Sequence, residues 1–157
     1  MDTSAQEEIR TLSIRKEIEI DAPIEICFAS VLEELGPGSQ MPDGTPFHMK
    51  IEAWPGGRWY RDLGNNTGHF WAHVQVIKPP SLLELSGPMF MSYPATNFVQ
   101  YRLTASGERT RLTVVHRAMG VITTEHSEGV QHGWEHGLRR IREIAHGKRS
   151  PTTGQRA

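Results

Sequence analysis

The chain has 157 residues, of which 37% are hydrophobic and 22% charged, and its formal net charge at pH 7 is −1. These values are typical of one ordinary globular domain, and they provide no field that would favour nucleic acid or an anionic membrane. Cys27 is the only cysteine, which excludes an internal disulfide. The first ten residues carry acidic side chains, and no stretch approaches the roughly 20 apolar residues of a membrane span. We therefore expect a cytoplasmic protein without nucleic-acid or membrane partners.

The first half of the chain begins with a strand pattern and a helix pattern. Apolar and polar residues alternate over residues 12–20, which predicts a half-buried strand, although Lys16 falls on its apolar face. Pro23 suits the first turn of a helix, and apolar residues then follow at three- and four-residue steps from 24 to 35. The breaker-rich loop over residues 36–46 either covers a pocket or merely connects two elements.

The middle of the chain is a run of strands separated by glycine, asparagine and proline turns. Short connections of this kind make neighbouring strands antiparallel, and alternation on one face only requires a cover on that face. The predicted strands span residues 47–54, 58–63, 69–78, 81–86, 96–105 and 109–118.

The last element is a long helix pattern over residues 123–145, with an apolar stripe, acidic residues near its start, arginines near its end and Gly147 as a stop. We predict an α+β fold in which a curved antiparallel sheet wraps around this C-terminal helix. The expected organisation is a flexible lead (1–11), one domain (12–146) and a flexible tail (147–157).

Several short motifs, in this order and spacing, resemble a known superfamily. They are Ile20-Asp21-Ala22-Pro23, Pro55-Gly56-Gly57-Arg58-Trp59, the stretch Val76 to Leu83, Thr110-Arg111-Leu112-Thr113, and Gly133-Trp134 with Leu138. The chain resembles the START-like helix-grip superfamily (SRPBCC), which includes pollen allergens, and within it the branch related to the C-terminal domain of the activator of the 90-kDa heat-shock protein ATPase. The resemblance implies a cavity between sheet and C-terminal helix for an apolar or amphipathic small molecule. It does not imply one activity, because the superfamily includes carriers, hormone receptors and aromatase/cyclases.

Strand alternation indicates which side chains face the cavity. Arg58 and Asp62 are charged and should face water, so Trp59 and Arg61, which alternate with them, should face inward. An interior of aromatic and methionine side chains with a few polar groups suits a small-molecule site or, more simply, a filled core. The candidate ligand-binding residues are Phe47, Met49, Trp59, Arg61, Phe70, Val99, Tyr101, His116, Met119, Trp134 and Leu138.

Two exposed-face interpretations depend on the same alternation. Trp54, Tyr60 and Trp71 would form an outward aromatic strip suited to a homodimer or a protein partner. Alternatively, a bulge reverses the faces midway along the long strand.

His116, Tyr101 and Arg61 are the polar groups predicted to face inward. His116 and Tyr101 could serve an enzyme of cyclase, dehydratase or hydrolase type, and Arg61 could meet an anionic ligand group. The simpler interpretation is that His116 is a hydrogen-bonded core histidine and that Arg61 extends to the rim. No carboxylate pair or nucleophile motif accompanies them, so we favour non-catalytic binding.

One literal metal motif occurs in the final helix. His132-Gly133-Trp134-Glu135-His136 spells H-x-x-E-H, the inverted zincin pattern. Because Trp134 belongs to the apolar stripe, the histidines and Glu135 are predicted to face solvent, and no third ligand is evident. We therefore expect no metal, and without a phosphate-binding glycine loop we expect no cofactor.

Overall fold

The computed structural model describes residues 8–89 and 92–154. Two helices and seven strands follow the predicted order, and α1 has the predicted bounds. The elements are β1 (Ile9–Ile20), α1 (Ile24–Leu35), β2 (Met49–Ile51), β3 (Arg58–Gly64), β4 (Thr67–Lys78), β5 (Leu82–Gly87), β6 (Ala95–Ser106), β7 (Arg109–Val121) and α2 (Thr124–Gly154).

The seven strands form one curved antiparallel sheet in the order β1-β7-β6-β5-β4-β3-β2. Tight turns set the order of consecutive strands. Asn65 and Asn66 both have positive φ angles, 53° and 56°, in the turn between β3 and β4, and Gly107 has φ 63° between β6 and β7. Two central residues with positive φ match the twist of an antiparallel hairpin. The predicted helix-grip architecture is confirmed.

The main core lies between the sheet and both helices. It joins apolar side chains of α1, such as Val31, to Leu85 and Val99 in the sheet and to Leu138 and Ile141 of α2. A second, smaller cluster lies under the start of α2 and consists of Leu12, Ile14, Ala118, Ile122 and Val130. Alternating strand residues and one helical stripe therefore share a single buried face, as the periodicities require.

Lys16, which interrupted the alternation of β1, faces α2 as its position predicts. Its ammonium lies 3.2 Å from the Glu135 carboxylate, so the charge on this face is paired. Thr123 caps α2 by accepting the backbone N–H of His126 through its hydroxyl, at 3.1 Å.

A bulge at Trp71 corrects the predicted faces of β4. Trp59 pairs with Ala72 and Tyr60 with Phe70, which leaves Trp71 as an extra residue on its strand. Trp71 is consequently buried at 7% exposure, whereas Phe70 is 36% exposed. The inward assignment of Phe70 and the outward assignment of Trp71 were wrong, and the alternative of a bulge is confirmed.

Met119 is a second correction. It was a candidate for the cavity but is 55% exposed, while its neighbour Ala118 is buried. Because His116 and Ala118 alternate inward along β7, Met119 must face outward. Among the described residues, the predicted aromatic strip is reduced to exposed Trp54 and half-buried Tyr60, without Trp71.

The ends of the domain also differ from the prediction. β1 begins at Ile9, since residues 9–11 pair with residues 119–121 of β7. α2 continues through Gly147 to Gly154. This end of the helix is tied to the rest of the domain, since His146 accepts the backbone N–H of Asp21 at 3.2 Å and Lys148 pairs with Glu33 at 3.1 Å. The remaining parts of the predicted lead and tail, residues 1–7 and 155–157, lie outside the described residues. No helix in the described part of the chain is long and apolar enough to cross a membrane.

Candidate ligand cavity

A cavity of about 550 Å³ opens between the sheet and the N-terminal half of α2. Volumes of this size are typical of sites for small organic molecules. Its walls come from four parts of the fold: the end of α1, the connection between α1 and β2 (residues 39–42 and Phe47), the strands and α2 residues 126–137. The loop whose role was open in the sequence therefore forms one wall. His136 contacts the Gln40 carbonyl oxygen at 3.3 Å and Arg140 donates to the Gly38 carbonyl oxygen at 3.1 Å, which ties the loop to α2.

Aromatic rings form the sheet side of the cavity. Trp71 lies edge-on between Phe47 and Trp59, with ring centroids 5.4 and 4.9 Å apart. The Trp59 indole donates to the Leu35 carbonyl oxygen at 2.7 Å, which fixes the ring against the end of α1. The result is an apolar wall whose shape is set by edge-to-face contacts.

Three glycines form the helix side of the cavity. Gly129, Gly133 and Gly137 recur at four-residue spacing and therefore lie on one helix face. A Cβ atom at Gly129 or Gly133 would meet nothing within 4 Å, and at Gly137 the nearest atom would be Glu34 Oε2 at 3.9 Å. Side chains absent from these positions leave the space that the cavity occupies.

Glu34 is the functional residue that the sequence reasoning missed. It lines the cavity from α1, is 8% exposed, and makes no hydrogen bond or ion pair with another described residue. Burial raises its pKa to about 8, partly opposed by the positive charge of Arg140. The signal was its position three residues after Val31 and seven after Cys27, on the buried stripe of the helix. A carboxyl group there is neutral at pH 7.

Tyr101 lines the cavity from β6, opposite the helices. Its side chain is 1% exposed, and its hydroxyl makes no hydrogen bond with another described residue. Burial, followed by the negative potential of Glu34, raises its pKa well above the usual value. Tyr101 is therefore a neutral hydroxyl at any physiological pH.

His116 is fully buried and belongs to a hydrogen-bonded chain with half-buried Trp134 and buried Asn97. The Trp134 indole N–H donates to His116 Nδ1 at 3.0 Å, so the proton of the neutral imidazole is on Nε2, which donates to Asn97 Oδ1 at 2.6 Å. Asn97 in turn donates to the Pro88 carbonyl oxygen at 3.1 Å. Desolvation first, and then the charge of His126, lower the pKa of His116 to about 4. This arrangement matches a satisfied core histidine, and both ring nitrogens are already engaged.

The candidate residues divide into four groups in the structure. Phe47, Trp59, Tyr101 and Trp134 line the cavity. Met49, Val99, His116 and Leu138 are buried outside its lining. Phe70 and Met119 face outward, as corrected above. Arg61 is half-buried and outside the cavity lining: its Nε donates to the Phe47 carbonyl oxygen at 3.2 Å and its guanidinium lies 4.6 Å from the Phe47 ring centroid.

The H-x-x-E-H side chains diverge. Glu135 turns toward Lys16 on β1, whereas His136 turns toward the loop at Gln40. His132 and Glu135 face solvent as predicted, with side chains 85% and 50% exposed, whereas His136 is half-buried against the loop; both histidines border the cavity. Within residues 8–89 and 92–154, no group of three or more histidine, cysteine or acidic side chains is placed to hold a metal ion.

The family of the chain follows from a match to a family model. Residues 44–146 match the model of the Activator of Hsp90 ATPase homolog 1-like protein family, and the chain belongs to that family, in the START-like (SRPBCC) helix-grip superfamily. None of the curated proteins is significantly similar in sequence.

Solved structures show the same fold at low identity. A putative uncharacterized protein from Rhizobium leguminosarum aligns over 88% of this chain and 97% of its own, with TM-score 0.70 and 13% identity. Ara h 8.0201 aligns over 88% and 99%, with TM-score 0.62 and 10% identity. The di-domain ARO/CYC StfQ from the steffimycin biosynthetic pathway aligns over 89% of this chain and 52% of its own, with TM-score 0.62 and 9% identity. At these identities the likeness establishes the fold alone.

Proposed function

We propose that this protein is a non-catalytic binding domain that takes one apolar or amphipathic small molecule in the cavity between its sheet and α2. The observation that carries the proposal is the pairing of an aromatic wall, Trp59 and Trp71, with a helix face from which side chains are absent at Gly129 and Gly133. A solid core would fill this space with side chains.

The chemistry of the walls agrees with an apolar occupant. The indole N–H groups of Trp59 and Trp134 are already bonded to protein acceptors, so these rings offer their apolar faces. The structural likeness to an ARO/CYC protein of a biosynthetic pathway also supports a small organic molecule as occupant.

The catalytic alternative has less support. An acid–base role for His116 needs a ring nitrogen that can reach the ligand, but both nitrogens bond to Trp134 and Asn97. Protonation of this ring is also disfavoured, since burial lowers its pKa to about 4. The two other polar groups discussed above, Tyr101 and Glu34, both keep their protons at pH 7 because burial raises their pKa values, so they supply hydrogen-bond donors and no base.

The test fills the cavity from the helix side. Gly133→Leu directs a branched side chain into the empty space, whereas Gly147→Leu makes the same substitution in α2, where a Cβ also meets nothing within 4 Å but the residue is outside the cavity lining. Both changes remove a helix glycine, which favours the helix by up to about 1 kcal/mol. The probe is N-phenylnaphthylamine, whose fluorescence rises in an apolar site.

We expect the wild type to bind one probe per chain saturably. Gly133→Leu should bind the probe at least about tenfold more weakly, a loss of about 1.4 kcal/mol, because the leucine occupies the cavity. Gly147→Leu should bind it with unchanged affinity. Equal affinity of the two variants would place the probe elsewhere and contradict the proposal. Absence of saturable binding to the wild type would do the same.

A further inference from the structure

The cavity has two polar groups without protein partners, Glu34 and Tyr101. Their side chains are 8% and 1% exposed, and neither makes a hydrogen bond with another described residue. Both line the same cavity, one from α1 and one from β6, and the charge of Glu34, when ionised, contributes to the raised pKa of Tyr101. Among the described residues, the oxygens of these two side chains are not sealed from solvent, so they open into the cavity, where a ligand can provide the hydrogen bonds that polar groups in protein interiors normally make. Two such groups on one apolar cavity indicate that a ligand completes them.

The protonation of the two groups decides which ligand atom suits them. Desolvation keeps a proton on the Glu34 carboxyl up to about pH 8, and Tyr101 stays protonated well above that. Each group therefore presents an O–H donor. A carbonyl oxygen has two lone pairs and accepts two such donors. A tyrosine with a neutral carboxylic acid in an apolar site is a suitable pair for a carbonyl or enol oxygen.

We propose that Glu34 and Tyr101 together anchor a neutral oxygen acceptor, a ketone-type carbonyl, at the buried end of an aromatic ligand. This inference rests on the proposed binding function and specifies the chemical class of its ligand. The aromatic wall of Trp59 and Trp71 holds the ring system, and the two O–H groups fix its orientation.

A cationic ligand is the competing possibility, since aromatic rings with a carboxylate also suit an ammonium group. The charges around Glu34 oppose it. Arg140 of α2 acts on Glu34 with a positive charge. An added ammonium would meet a neutral acid near further positive charge, whereas a carbonyl oxygen meets two donors.

The experiment compares three naphthalenes that carry a substituent of similar shape at the same ring position. Acetylnaphthalene has the carbonyl, isopropenylnaphthalene replaces its oxygen with CH₂, and naphthylethylamine carries an ammonium group. Each displaces N-phenylnaphthylamine from the full chain at about pH 6 and about pH 9.5, on either side of the Glu34 titration. Thermal unfolding and retained N-phenylnaphthylamine binding show that each variant is folded with an open cavity.

At the lower pH we expect the wild type to bind acetylnaphthalene about tenfold more tightly than isopropenylnaphthalene, a difference that one or two buried hydrogen bonds can supply. At the higher pH most of this preference should be lost, because Glu34 is then ionised and no longer a donor. Glu34→Gln retains an N–H donor, so its preference should persist and stop depending on pH. Glu34→Met and Tyr101→Phe each remove a donor and should reduce the preference to about twofold or less.

Each other result overturns the anchor in a distinguishable way. Equal affinity for the ketone and the hydrocarbon would refute the anchor and leave the binding function intact. Stronger binding of naphthylethylamine would show Glu34 acting as a counter-ion. Failure of all probes, including N-phenylnaphthylamine, would refute the binding function along with the anchor.

Discussion

The burial of Glu34 predicts a pH-dependent loss of stability that a single substitution should remove. The folded state holds this carboxyl at a pKa of about 8, against 4.5 for the free side chain. Below about pH 4.5 the group is neutral in both states and has no effect. Between 4.5 and 8 the unfolded chain ionises while the folded chain keeps its proton, so the free energy of unfolding falls by about 1.4 kcal/mol per pH unit. Above 8 both states are ionised and the loss stops growing.

Glu34→Gln replaces the carboxyl with an uncharged group of the same shape. We expect the variant to equal the wild type within about 1 kcal/mol at pH 4.5, and to exceed it by about 3 kcal/mol at pH 7 and about 5 kcal/mol above pH 8. The difference is large because only the wild-type side chain must, in the folded state, either hold its proton or be buried as a charged carboxylate. Contributions of other groups, such as the opposite pH dependence of buried His116, are common to both proteins and cancel.

The assay is urea unfolding, followed by tryptophan fluorescence, at several pH values between about 4.5 and 9. Glu33→Gln is the matched control on the same helix turn. The Glu33 side chain is 42% exposed and pairs with Lys148 at 3.1 Å, so its loss should cost no more than about 1 kcal/mol at any pH.

A constant difference between Glu34→Gln and wild type across this pH range would refute the reasoning. It would mean that Glu34 is solvated or paired in the folded state. A difference that shrinks as pH rises would show that the folded state prefers the carboxylate, and that outcome would remove the donor on which the ligand anchor depends.

Two further predictions test the buried chain of His116 and the bulge in β4. Asn97→Leu removes the oxygen that accepts the His116 Nε2–H at 2.6 Å. It should lower the free energy of unfolding by about 2–3 kcal/mol, since this buried hydrogen bond is lost. A loss below about 0.5 kcal/mol, measured by urea unfolding, would contradict the network. Trp71→Ala should cost about 3–5 kcal/mol, because its ring is buried against two aromatic neighbours, whereas Phe70→Ala should cost under about 1.5 kcal/mol. Similar losses for the two variants would argue against the bulge.

Local patterns were enough to predict most of the fold. The bounds of α1, the turn at Gly107 and the length of the buried part of α2 follow from periodicity, capping and backbone preferences, which act between near neighbours in the chain. The element pattern predicted a sheet wrapped around the last helix, which the structure confirms, and the resemblance predicted the family, which the family match confirms. Strand alternation also identified three residues of the cavity lining, Phe47, Trp59 and Tyr101, and the apolar stripe of the last helix identified a fourth, Trp134.

Side-chain facing failed where strand pairing departs from regularity. A bulge depends on how β3 and β4 align, and one extra residue at Trp71 exchanges the two faces of the strand from that point. Nothing local to the chain distinguishes Trp71 from Phe70, because both are aromatic and both suit either face.

The sequence by itself determined which elements form, in which order, and that one face of the sheet must be covered by the last helix. Only the tertiary structure decided what that cover leaves open. Glu34 becomes a neutral acid because α1, β6 and α2 together exclude water from it, and His116 becomes a structural group because Asn97 and Trp134 lie 19 and 18 residues away along the chain. The cavity likewise exists because Gly129 and Gly133 meet no partner across the gap. These properties depend on distances between residues remote in the chain, which periodicity and composition do not encode.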